Sequence, residues 1–165
     1  MLKDIPNNTA CFVDANIFYY SLVSTPDVTI DCSEFILRIE RGEIMACTSS
    51  ATIAEAIHKV MMAEAVKQHG LNRQGLAHRL QRQSLLIATL SEHKKVADLV
   101  RLSGIHVEPI TLDLLEKATD CSIRYQMLTN DALTVAVMEK LRITNIATND
   151  DDFGSVAGLT MWKPK

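Results

Sequence analysis

Short apolar runs that stop at polar residues alternate along this chain with longer segments whose apolar positions recur every three or four residues. The short runs lie at 11–13, 44–48, 105–110, 145–148 and 159–162, and each reads as a strand buried in a sheet. The first feeds directly into Ala-Asn-Ile-Phe-Tyr-Tyr, the start of a helix. Residues 29–41 carry capping candidates at Thr29, Asp31 and Ser33, apolar Phe35, Ile36 and Ile39 at helical spacing, and a stop at Gly42. Ser49 or Ser50 caps a further helix with the stripe Ile53, Ile57, Val60 and Met61, closed by Gly70. Residues 73–103 predict one or two helices with a break near Ser84 or Ser91. Thr111 opens another to about Met127, and Thr129 caps one more. The succession predicts a single domain over 1–165, a three-layer α/β/α sandwich with a mostly parallel central sheet of four to five strands.

Where the fourth run ends, residues 146–153 read Ile-Ala-Thr-Asn-Asp-Asp-Asp-Phe. Three adjacent carboxylates without a neighbouring Lys or Arg repel one another unless a cation or a proton intervenes. The carboxyl ends of strands are also where open α/β sheets bind ligands. Other acids arrive at comparable places: Asp14 after the first strand, Glu55 in the second turn of its helix, and Asp131 in a first helical turn. Each also has a purely structural reading. Asp14 suits a helix N-cap as well as it suits a ligand, Glu55 is a solvated helical residue, and Asp131 compensates a helix dipole. Asn16 stands close enough to Asp14 to hold its carboxylate or a water. Four such acids at one sheet edge make an all-oxygen donor set, which selects Mg²⁺ or Mn²⁺ and leaves room for a substrate phosphate. The chemistry that follows is phosphodiester hydrolysis by activated water.

The formal net charge of −3 argues weakly against a generic nucleic-acid binder. Its distribution changes that picture. Residues 59–101 carry 8 basic and 3 acidic groups, whereas 1–58 carry 3 and 8, and 102–165 carry 6 and 9. The basic middle is either a solvated pair of helices or a phosphate-attracting surface beside an acidic site. No run approaches the ~18 apolar residues needed to span a bilayer, and the first residues lack a signal peptide's apolar core, so the chain is expected to be cytoplasmic with no membrane contact. Four widely spaced cysteines without a C-x-x-C pair predict buried free thiols. No phosphate-cradling glycine loop, H-E-x-x-H or G-x-S-x-G is present. An EF-hand starting at Asp150 fails because Gly154 and Met161 fall where ligands are needed.

Four motifs in order resemble a known family. Phe-Val-Asp14-Ala-Asn16, Thr-Ile-Ala-Glu55, Thr-Asn-Asp131-Ala-Leu and Ile-Ala-Thr148-Asn149-Asp150-Asp151-Asp152-Phe153 look like the motifs of PIN domains, in particular of VapC-type ribonuclease toxins. The resemblance implies that Asp14, Glu55, Asp131 and Asp150 hold Mg²⁺ or Mn²⁺, with Asn16 and Thr148 in support. Asp152 would reach the metal through water, and Asp151 would point away, as strand alternation also suggests if the extended geometry persists. It further implies metal-dependent endoribonuclease activity on RNA, a small antitoxin protein as partner, and a homodimer. PIN nucleases that process RNA without an antitoxin, and catalytically silent RNA- or protein-binding modules, are the alternative readings. A receiver-like signalling domain fits less well, since a lone Asp14 follows the first strand and no Lys follows the fourth before Lys163.

Overall fold

The computed structural model describes residues 1–23 and 26–165. Five strands, β1 (Thr9–Val13), β2 (Ile44–Ser49), β3 (His106–Glu108), β4 (Asn145–Ala147) and β5 (Thr160–Trp162), form one sheet. Their order is β3-β2-β1-β4-β5 and all four pairings are parallel. The order steps away from β1 in both directions, so the β1/β4 junction is the topological switch point, where such sheets open a crevice for ligands.

Helices cover both faces because successive strand residues point to opposite sides. Cys11 and Val13 of β1 pack under α1 (Ala15–Leu22), α2 (Pro26–Glu40), α3 (Ser50–His69) and α6 (Lys94–Leu102). Phe12, Cys47 and Ile146 face the other way, against α7 (Leu112–Tyr125) and α8 (Thr129–Leu141). Phe12, Phe18, Phe35 and Phe153 are fully buried, and each such side chain contributes roughly 1.5–3 kcal/mol of burial. A third cluster joins Ala65, near the end of α3, to Leu76 and Leu80 of α4 (Leu76–Arg82) and to Leu90. All four cysteines are buried and free, as expected. Among the described residues no helix is long and apolar enough to cross a membrane.

Several boundaries differ from the sequence reading for identifiable reasons. The 73–103 region forms three helices, α4, α5 (Ser84–Ile87) and α6, in place of one or two. Glu64 of α3 accepts the backbone N–H groups of Ser91 (2.8 Å) and Glu92 (2.9 Å), which holds the link before α6 out of helical geometry. Strand β3 is shorter than 105–110 because its pairing with β2 ends at Glu108 opposite Ser49, and the Ile110 N–H donates to Ser50 Oγ instead (3.2 Å). The α2 helix starts ahead of Thr29, whose hydroxyl donates to the Val23 carbonyl, while Asp31 accepts from the Lys165 N–H. Ser49 caps α3 by accepting from the Thr52 N–H (3.0 Å), and Thr111 caps α7. Thr129, however, does not cap α8. Leu128 occupies that position in an extended conformation and makes no side-chain cap bond.

Candidate active site

Asp14 is placed by the end of β1 and the start of α1. Its backbone N–H still follows the sheet, donating to the Ala147 carbonyl of β4 (3.0 Å), while its side chain already caps the helix. Oδ1 accepts from the Ala15 N–H (2.7 Å), and Oδ2 accepts from Asn16 Nδ2 (3.0 Å) and Thr148 Oγ1 (2.8 Å). The residue is only 8% exposed, so the side chain that caps α1 is also the one held beside Thr148 at the sheet edge. Thr148, fully buried just past β4, also accepts the Asp150 N–H on its hydroxyl (3.0 Å). One hydroxyl thus ties the acids of two neighbouring parallel strands together.

The chain of contacts continues on the other side. Asn16 Oδ1 accepts from Lys59 Nζ (2.9 Å), and Lys59 pairs with Glu55 Oε1 (2.8 Å) one helical turn before it. Glu55, Lys59, Asn16, Asp14, Thr148 and Asp150 therefore form one continuous polar line across the switch point. Asp152 joins through backbone geometry. The strand ends at Ala147, so alternation does not carry to residue 152; instead the Asp152 N–H donates to Asp150 Oδ1 (3.0 Å) as the chain enters a short 3-10 turn, Asp152–Ser155. Such a side-chain-to-backbone bond two residues on is the usual Asx-turn device. Asp151 is 92% exposed and ion-pairs with Lys163 beyond β5.

Asp131 faces this line from the first turn of α8. Burial, and then the charges of Asp150, Asp152, Asp14 and Glu55, push its carboxyl up to about 6. Burial also raises the Asp14 carboxyl, against the Thr148 and Ala15 hydrogen bonds that oppose the shift. All five acids singled out in the sequence, at 14, 55, 131, 150 and 152, consequently share one electrostatic neighbourhood. Their side chains are not drawn into a single coordination sphere: no group of three or more His, Cys, Asp or Glu among the described residues stands ready to hold a metal ion. Asp14 is engaged by three donors and Glu55 by Lys59. The donor set nevertheless fits a hard divalent cation, since it consists of carboxylate oxygens alone and carries charge that raises one member's affinity for protons.

A profile described as the PIN domain matches residues 11–159. This chain belongs to the PIN domain family. Ribonuclease VapC6 of Methanocaldococcus jannaschii is 26% identical over 112 residues, covering 68% of this chain and 72% of that protein. The crystal structure of Mycobacterium tuberculosis VapC20, a sarcin-ricin loop cleaving toxin, superposes with a TM-score of 0.59 at 19% identity, over 89% of this chain and 95% of that one. VapBC2 from Rickettsia felis, solved bound to a DNA fragment from its promoter, gives 0.59 at 14% identity over 95% and 100%. These likenesses, at such identities, establish the PIN fold.

Two features of this PIN domain's site were not singled out by sequence reasoning. Lys59 lies four residues after Glu55, a spacing that suits an ion pair but does not announce its second bond to Asn16. The bond from Asn149 Nδ2 to the Tyr20 hydroxyl (3.4 Å) bridges 129 positions of sequence and has no local signature.

Proposed function

We propose that this PIN domain is a metal-dependent endoribonuclease, acting in the cytoplasm as the toxin of a VapBC-like pair whose small antitoxin protein covers the site, with a homodimer as its working form. The observation that carries the reading is the convergence of Asp14, Glu55, Asp131 and Asp150 at the β1/β4 switch point. The nuclease and toxin names of its relatives support it. Asp14, Glu55, Asp131 and Asp150 would hold Mg²⁺ or Mn²⁺, with Asp152 contributing through water. When bound, the metal lowers the pKa of a water and offsets charge on the phosphate under attack. The chain's own groups do the positioning. Thr148 and Asn16 fix the rotamer of Asp14 by donating to Oδ2, and their bonds favour its ionised form against the effect of burial. Thr148 simultaneously holds the start of the acidic loop through the Asp150 N–H. Lys59, in reach of Glu55 and Asn16, supplies positive charge at the side where a phosphate must enter. Hydrolysis adds the water's hydroxyl to phosphorus, breaks one ribose P–O bond and returns the proton to the departing oxygen.

Incubating the purified chain with total cellular RNA in Mg²⁺, in Mn²⁺ and in EDTA, with Asp150→Asn alongside, tests the reading. Discrete fragments that need metal and vanish in the variant are expected. Cleavage that persists in EDTA or in Asp150→Asn would overturn the assignment, and no cleavage under any condition would favour a silent binding module.

A further inference from the structure

A cleft of about 540 Å³ adjoins the acids, walled by Asn16, Tyr19 and Tyr20 of α1, His58 and Lys59 of α3, and Arg73 before α4. It is tied to the acid cluster at three points. Asn16 bonds to Asp14, Lys59 pairs with Glu55, and the Tyr20 hydroxyl accepts from Asn149, the residue before Asp150. The two sides of this edge carry opposite chemistry. One presents carboxylates, and the other presents two tyrosines, the His58 imidazole and the basic side chains of Lys59 and Arg73 alongside apolar Met62 and Leu76.

We propose that this cleft is the binding subsite for one unpaired nucleotide of the RNA strand beside the scissile phosphate, with its base against Tyr19 and Tyr20 and its phosphate toward His58, Lys59 and Arg73. The proposal rests on the ribonuclease reading and adds to it the residues of this chain that would hold the strand next to the scissile phosphate. Charge complementarity favours this occupant. A polyanion approaching the acids of the β1/β4 edge is repelled unless cations offset them, and Lys59 and Arg73 line the adjoining cleft, in the segment that carries the chain's excess of basic groups. The aromatic pair favours a base. Tyr19 and Tyr20 sit edge to face, with centroids 5.2 Å apart and planes at 67°, and both rings are half-buried, so each keeps surface for a partner. Stacking on such rings requires a base whose own faces are free, which a duplex does not offer. The volume suits a small ligand and is far too small for a duplex segment.

The test uses the full chain and a single-stranded RNA oligonucleotide, comparing the unsubstituted protein with Arg73→Gln, Tyr20→Leu and Tyr20→Phe. Steady-state cleavage in Mg²⁺ gives kcat and KM, and fluorescence anisotropy of the same oligonucleotide in EDTA gives affinity without turnover. Arg73 is exposed, so its substitution leaves the fold intact. Arg73→Gln and Tyr20→Leu are each expected to raise KM roughly tenfold, with the loss falling on KM rather than kcat, and to weaken binding in EDTA in parallel. Tyr20→Phe, which keeps the ring, restores KM. Unchanged KM and unchanged anisotropy in both variants would overturn the proposal, as for a cleft reserved for a protein partner. Equal losses in Tyr20→Phe and Tyr20→Leu would also overturn it, because the hydroxyl bond and not the ring would then matter. If the unsubstituted chain cleaves nothing, the ribonuclease reading fails and the anisotropy decides alone: binding lost in the variants upholds the subsite, and no binding rejects it.

Discussion

Two sets of carboxylates in this molecule live under opposite electrostatic conditions. Glu43 accepts from Arg41 (2.6 Å) and Arg38 (3.0 Å), and those two guanidinium groups hold it below the ordinary carboxylate range. Glu108 is lowered likewise by the Lys140 ammonium at 2.6 Å. Burial pushes Glu139 upward, but Lys117 at 3.0 Å, the Tyr125 hydroxyl and Arg124 more than reverse it. At the β1/β4 edge the directions invert: Asp14 is raised by burial, and Asp131 is raised by burial and by the other acids. Among the described residues Lys59 is the one cation ion-paired with any of these five acids. The acids that hold the fold together come with cations of their own, and the acids at the switch point come with each other. That imbalance costs stability in the metal-free chain, and it is the imbalance a divalent ion would relieve.

The largest effect expected from breaking the second set is on cleavage. Asp150→Asn keeps the volume and an oxygen to accept the Asp152 N–H, so it should fold normally while losing more than ~100-fold in activity, as removal of a ligand should exceed the usual loss from its supporting groups. Asp14→Asn should lose activity as fully but also melt lower, because its amide –NH2 must face either the Ala15 N–H or the Asn16 and Thr148 donors that the two carboxylate oxygens now accept. Circular dichroism beside the cleavage assay checks both. Thr148→Val, which keeps the shape and deletes the hydroxyl joining Asp14 to Asp150, should cost about 10- to 100-fold, with kcat falling more than KM.

Asp131→Asn sharpens the contrast by separating stability from activity. Below the unfolded value of 3.8 the carboxyl is protonated in both states and costs nothing, and as pH rises through about 6 the native state must ionise what the unfolded chain ionises freely. The metal-free protein therefore loses stability across that window. Asp131→Asn should remove the loss, melting higher than the unsubstituted chain at pH 7 and no higher at pH 4, while its cleavage falls. Equal melting at pH 7 would show that the acids do not strain the fold. The smallest effect belongs to the paired set. Glu139→Gln should cost about 1 kcal/mol or less, a fall in Tm of ~4 °C at most, with cleavage unchanged.

How far the sequence exposed this arrangement depends on the range of the interactions involved. The sheet was legible because β1, β2 and β4 are apolar runs with polar stops, and parallel order followed from the helices between them. In the 73–103 region the break positions near Ser84 and Ser91 were legible, but not that both occur, since Glu64, 27 positions before Ser91, sets the second through a tertiary bond. Thr129 looked like a cap by type, yet the conformation of Leu128 shifted the helix start by one residue. Asp14 illustrates the reverse case. Cap and ligand looked like competing roles, and the structure shows one side chain capping α1 while facing the other acids. The nearness of the acids was readable because Asp14 and Asp150 follow strand ends and Asp131 opens a helix, whereas Glu55, a turn deeper in α3, stood out only through its motif. Lys59, Tyr20 and Arg73 were not readable, because a cleft assembled from three elements leaves no spacing in the chain.

Titrating Mn²⁺ into the purified, metal-free chain and following the free ion by electron paramagnetic resonance, with Asp150→Asn in parallel, tests the central claim most directly. Saturable binding by the unsubstituted protein, displaced by Mg²⁺ and lost or weakened more than tenfold in Asp150→Asn, is the predicted result. No saturable binding, or binding that Asp150→Asn leaves unchanged, would contradict the claim that these carboxylates form a metal centre.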